Sequence, residues 1–175
     1  MSVRTASLEG ARVLRTGFRC VLVCAAVVSL GSAAIAGRQA ASYRLPGPLQ
    51  AHVKSDRFQI VTSIRGLPLG VRDAMRALWG TPVLDIVDPD GSQPSDSGPN
   101  QSSRRLVAAG CSGDHCLVSY ELGGKTRSWR VVLFHWTPAA TKFEWGGTVP
   151  RALTKFDDVL SAALSGNIEG PTTSW

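Results

Sequence analysis

Apolar and polar positions alternate in three distinct rhythms along this chain. Leu67, Val71, Ala74, Met75 and Leu78 recur at three- and four-residue steps, which predicts one buried face of a helix. Gly80 and Pro82 end it. Upstream, Phe58, Ile60 and Ile64 are spaced for a short strand or irregular segment, and Pro82–Val87 is a brief β-like run. From residue 106 the rhythm changes to that of strands. Leu106–Ala109 predicts one, and Leu117–Leu122 the next, with Leu117, Ser119 and Glu121 on one face and Val118, Tyr120 and Leu122 on the other. Gly123-Gly124 reads as a two-residue hairpin turn. A long strand over Thr126–Trp136 follows, broken by Pro138, and then Lys142–Trp145, closed by Gly146-Gly147. Phe156, Val159, Leu160, Ala163 and Leu164 restore the helical step within Thr154–Ser165. Thr154 with Asp157 predicts its N-cap, and Gly166 its stop.

The expected fold class is α+β: an antiparallel sheet of about five strands flanked by helices at both ends of the chain, with the helices on one face. Residues 89–103 are Pro, Gly, Ser and Asn with almost nothing apolar, and read as a long mobile surface loop. Residues 37–56 carry Pro46-Gly47-Pro48 and few large apolar side chains, and read as a flexible lead-in.

The first 36 residues are set apart. Arg4, Arg12, Arg15 and Arg19 precede an uncharged run from Cys20 to Gly37 that ends in Ala34-Ile35-Ala36. This is the layout of a secretory signal with an A-x-A cleavage site after Ala36. An uncleaved membrane anchor is the competing reading, since the run is about the shortest that spans a bilayer, roughly 17 residues. Residues 57–170 then form a single domain, and 175 residues with 43% hydrophobic side chains suit one core.

Export changes the meaning of charge and of cysteine. The full chain has 19 Lys+Arg against 13 Asp+Glu, or +6. Removing 1–36 takes away four Arg and Glu9, leaving a dispersed +3, so nucleic-acid binding loses its support. No membrane attachment is expected after cleavage. Cys20 and Cys24 leave with the leader, and Cys111 and Cys116 remain for an oxidising compartment.

Those two enclose Ser112-Gly113-Asp114-His115 between two strands. The C-x4-C spacing is not that of a redox enzyme, and the expectation is a disulfide that pinches a strand-to-strand turn. The ring is small, worth about 2 kcal/mol of unfolded-state entropy. Its larger effect is to stiffen a polar display of Ser112, Asp114 and His115, which suits recognition because little ordering entropy is lost on binding. A solvated turn with a purely structural disulfide fits the residues equally. A zinc site from Cys111, Cys116, His115 and His135 is disfavoured, because adjacent ligands strain around one ion and export favours the disulfide. Catalysis has no constellation: His52 lies in the lead-in, His135 inside a strand, no G-x-S-x-G occurs, and Asp157-Asp158 suits a helix N-terminus. No catalytic residue, metal or cofactor is assigned.

The C-x4-C loop with an internal Asp and His resembles that of the inhibitor of vertebrate lysozyme (Ivy) family, which reads Cys-Lys-Pro-His-Asp-Cys. Leu117–Phe134 resembles the family's following hairpin. Lys142-Phe143-Glu144-Trp145 resembles its Lys-Leu-Thr-Trp strand, and Val159–Glu169 its last helix and exit. The resemblance spans about residues 60–170. It implies a periplasmic, often homodimeric protein whose braced loop, here Ser112, Gly113, Asp114 and His115, enters the cleft of a c-type lysozyme. A loop histidine there meets the two catalytic carboxylates that a glycosidase requires. Two positions depart from the family: Asp114 stands in the place of its histidine, and Gly113 in that of its proline. An ionised Asp114 would meet two further negative charges.

Overall fold

The computed structural model describes residues 43–95, 102–170 and 175, all within one compact unit that begins at Arg38. The leader expected at 1–36 and the centre of the loop expected at 89–103 lie outside the described residues.

The elements run α1 (Gly47–Ser55), β1 (Gln59–Val61), α2 (Leu69–Trp79), β2 (Arg104–Cys111), β3 (His115–Leu122), β4 (Ser128–Trp136), β5 (Thr141–Val149) and α3 (Phe156–Ser165). The five strands form one antiparallel sheet in sequence order. The α+β plan is therefore present, with helices before and after the sheet.

The helices do not share one face. Leu106, Ala109, Cys116, Val118, Tyr120, Val132 and Phe134 pack with Val71 and Met75 of α2. Ala108, Leu117, Val131, Leu133, Trp145 and Val149 pack with Val53 of α1 and with Phe156, Val159 and Ala163 of α3. Adjacent residues such as Leu117 and Val118 thus enter different cores, as strand alternation requires. The sheet is sandwiched, and β3 is buried along nearly its whole length. Two irregularities in pairing hide this from a period-two reading. The first, between Leu106 and Ala108, lets Leu106 and Ala109 face the same core. The second, beside Leu133 and Phe134, pairs Leu133 with Trp145 but Phe134 with Phe143.

The flexible lead-in expected at 37–56 is corrected where it is described. Tyr43 donates its backbone N–H to the Ile168 carbonyl at 2.8 Å and stacks on Trp145 with ring centroids 5.6 Å apart. Leu45, Leu49 and Val53, four residues apart, turn one face of the segment into the α3-side core. Pro48 sits in the first turn of α1, where a missing N–H costs nothing.

Other boundaries shift for local reasons. Gly146-Gly147 does not close β5, which runs on to Val149. A Cβ at 146 would meet the Trp175 ring, and one at 147 the Glu169 carbonyl, so these glycines admit the C-terminal segment bridged at Thr148 and Glu169. The β3–β4 connection takes residues 123–127, with Gly124 at φ 136°. Pro82–Val87 forms no strand and gives a single parallel bridge, Val87 to Arg105. Lys155, not Thr154, occupies the α3 N-cap, without a side-chain cap hydrogen bond. Gly166 ends α3 in the left-handed region, φ 78°. Among the described residues no helix is long and apolar enough to cross a membrane.

One polar cluster holds the α2 face. Arg104 lies 4.4 Å over the Trp79 ring, pairs with Asp85 at 3.2 Å and donates to the Trp175 carbonyl at 2.6 Å. Trp79 Nε1–H donates to the buried Tyr120 hydroxyl at 3.2 Å. Burial pushes the Tyr120 phenol above its usual 10.0, against the opposing Trp79 hydrogen bond and the Arg104 and Arg130 charges. The folded value is the raised one, so its contribution to stability is complete below pH about 10 and is lost as pH climbs toward the folded value. Urea unfolding across the alkaline range should show this loss, and Tyr120→Phe should flatten it; an unchanged slope in the variant would assign the loss elsewhere.

Candidate functional site

The cysteine-closed turn is built by pairing as much as by the disulfide. Cys111 ends β2 and is the direct cross-strand partner of Cys116 in β3, with Cα atoms 4.1 Å apart and the sulfurs bonded. Ser112 N–H donates to the His115 carbonyl at 2.7 Å. His115 N–H and Asp114 N–H both reach Ser112 Oγ, at 2.9 and 3.3 Å. Trp136, at the end of β4, braces the turn from the side: its backbone N–H donates to the Asp114 carbonyl at 2.8 Å and its indole N–H to the Ser112 carbonyl at 3.2 Å. The tip therefore has little freedom left to lose on binding.

Of the four residues expected on display, the structure exposes two. Gly113 and Asp114 are open to solvent, and the Asp114 side chain is 52% exposed. Ser112 is half-buried and turned into the loop's own hydrogen bonds. His115 is corrected: it is 1% exposed and belongs to β3, not to the displayed loop. The reason is alternation. Cys116 faces α2, so its neighbour His115 faces α1 together with Leu117.

There His115 meets Asp56 and Glu144, which carry no motif in the sequence, and His52, which the sequence places in the lead-in. Its Nδ1 lies 2.7 Å from Asp56 Oδ2, and its Nε2 lies 3.5 Å from Glu144 Oε2. Ser112 Oγ lies 2.9 Å from the same Asp56 oxygen. His52, one helical turn before Asp56, sets its ring edge-on to His115 at 4.8 Å. His52 Nε2 is 3.8 Å from Asp56 Oδ1 and 3.4 Å from Asp114 Oδ2. His135, half-buried in β4, pairs across from His115 in the sheet, rings 5.5 Å apart. A neutral imidazole has one N–H to offer, yet His115 has a carboxylate against each nitrogen. The cluster is thus rich in negative charge around one buried ring.

Beside the turn opens a groove of about 540 Å³, lined among others by Arg57, Gln59, Ile60, Thr62 and Gly113. Ile60 is 68% exposed on β1, one of the sheet's two edge strands. The i,i+4 spacing of His52 and Asp56 was the one available sign of the cluster, and it rested on recognising α1.

Comparison with protein families, with curated proteins and with solved structures finds no match to this chain.

Proposed function

We propose that this chain is a protein-binding module of the exported compartment that docks through the tip of the 111–116 turn, in the manner of a lysozyme inhibitor. The observation that carries the reading is a rigid, exposed Gly113-Asp114 tip with the His52 imidazole 3.4 Å beside it. His115 takes no part in the contact, and His52 supplies the imidazole instead.

The chemistry suits a glycosidase cleft. Such a cleft holds one carboxyl group protonated as general acid and one ionised. The protonated group donates to the Asp114 carboxylate, and the ionised one accepts from His52. Like-charge repulsion at Asp114 is then confined to the second carboxylate, where the imidazole intervenes. The Ile60 groove adds apolar contact along the edge strand.

Residues 37–175 should slow cell-wall lysis by a c-type lysozyme in a saturable titration. Asp114→Ala and His52→Ala should each weaken inhibition about thirty-fold or more, the low end of the range for truncating one side of a desolvated charged contact. Full lysis at a large molar excess of folded protein would end the lysozyme reading. The tip carboxylate favours a second reading, a basic protein ligand outside the lysozymes. It predicts binding that Asp114→Ala weakens while lysis goes on undisturbed.

A further inference from the structure

We propose that His52, Asp56 and His115, completed by Asp114, form a binding site for a divalent transition-metal ion, with zinc the best fit. The inference goes beyond the binding reading and needs no partner; a bound ion would occupy the His52 nitrogen and Asp114 carboxylate that the docking contact uses, so the metal-bound and docked states are alternatives and inhibition is titrated in chelator.

The donors come from three places in the fold. His52 and Asp56 share one face at the end of α1, His115 comes from β3, and Asp114 from the turn. Potential ligand atoms of His52, Asp56 and His115 lie within 4.8 Å of one another. Zinc binds nitrogen and carboxylate oxygen at about 2.0–2.1 Å, so tetrahedral ligand atoms stand roughly 3.3 Å apart. Three of the separations lie near that value, His115 Nδ1–Asp56 Oδ2 at 2.7 Å, His52 Nε2–Asp114 Oδ2 at 3.4 Å and His52 Nε2–Asp56 Oδ1 at 3.8 Å. Holding one ion would require His52, Asp56 and His115 to draw in from a spread of up to 4.8 Å, with Asp114 reached through its 3.4 Å approach to His52.

Two further observations point to a cation. Glu144 Oε2 is buried, has no hydrogen-bond partner among the described residues and faces His115 Nε2 at 3.5 Å. A carboxylate behind the far nitrogen of a ligating histidine is the usual outer-shell arrangement; it would hold the Nε2–H tautomer once a metal displaces the proton that Nδ1 shares with Asp56 at 2.7 Å. Ser112 Oγ donates to Asp56 Oδ2, the oxygen that faces His115 Nδ1, which leaves Oδ1 toward His52. The set of two imidazoles and two carboxylates suits zinc, copper or nickel more than magnesium or calcium, which prefer all-oxygen shells. The disulfide removes both cysteines from competition, so this centre differs from a thiolate site at Cys111 and Cys116.

Binding would pin α1 and the turn to the sheet. Apart from Leu45, Leu49 and Val53, little apolar surface holds α1 in place, so a metal clip should raise its stability by linkage.

The test uses residues 37–175 and metal alone. Cobalt(II) should give the visible band of four-coordinate N/O ligation, displaced by zinc at one equivalent. Zinc should raise Tm by several degrees where magnesium does not. His52→Ala removes a half-exposed ligand without opening the core, and should lower zinc affinity at least ten-fold with Tm in chelator unchanged. Asp114→Asn should lower it less. The proposal is overturned if wild-type protein shows neither the cobalt band nor a zinc-dependent Tm, or if His52→Ala binds zinc as tightly as wild type. These readouts involve no lysozyme, so failure here leaves the binding reading intact, and failure of inhibition leaves the metal site intact.

Discussion

Trp145→Ala should cost about 4 kcal/mol, in the range of large-to-small changes at buried aromatics, and lower Tm by roughly 12 °C in a domain of this size. Trp145 is 2% exposed and sits in the core between the sheet and α1/α3. It opposes Leu133 across β4–β5 and carries Tyr43 stacked on its indole. Truncation leaves a cavity and also releases the strap that begins at Tyr43. Hydrogen exchange in residues 43–55 should therefore rise more than in α2, which packs on the other face of the sheet. Trp145 Nε1 is buried without a hydrogen-bond partner among the described residues. Trp145→Phe keeps a stacking ring and removes that unsatisfied donor, so it should cost under about 1.5 kcal/mol. Denaturant midpoints of the two variants decide the matter: equal losses would mean that the indole's size is not what the core uses.

Where hydrophobic rhythm alone decides structure, it was legible in the sequence. The step of Val71, Met75 and Leu78 places α2, while Leu67, the first residue of that step, lies before the helix and packs into the same core, and the alternation from Leu117 to Leu122 places β3 with both faces assigned correctly. The misreadings share a cause: residues that punctuate a chain locally were overruled by distant neighbours. Pro46-Gly47-Pro48 looks like a linker, yet Pro48 fits a first turn and the Leu45-Leu49-Val53 stripe docks it. Gly146-Gly147 looks like a turn, yet both glycines make room for Trp175 and Glu169. The two-sided core was masked by pairing irregularities that shift the period by one residue. At the candidate site the cysteine spacing exposed the turn, and the observed disulfide matches it. The orientation of His115 was equally available, since a strand that sends Cys116 to one face must send His115 to the other. For Asp56, His52 and Glu144 the only sign was the i,i+4 spacing of the first two, because what gathers the three is the docking of α1 and the β4–β5 register.

His115→Ala and Asp114→Ala, two substitutions one residue apart, should separate stability from binding. His115→Ala removes the group that two carboxylates face, at 2.7 and 3.5 Å. Breaking a buried pair leaves charge without compensation and costs 3–5 kcal/mol when burial is complete. Asp56 and Glu144 keep partial access to water, at 11% and 23% side-chain exposure, so the expected loss is nearer about 3 kcal/mol. His115→Asn retains an amide donor toward Asp56 and should recover part of it. Asp114→Ala removes an exposed carboxylate whose backbone carbonyl, not its side chain, holds Trp136. Its effect on stability should stay within about 0.5 kcal/mol, as for surface changes that disturb no buried contact, while binding weakens. Unfolding midpoints and partner titration on the same preparations read both quantities. If His115→Ala instead proves neutral in stability and abolishes binding, the imidazole is presented to the partner after all, and the turn must open in solution to let it out. That opening would be visible as rapid exchange of the Ser112 and Trp136 amides, which the closed turn ties to the His115 and Asp114 carbonyls.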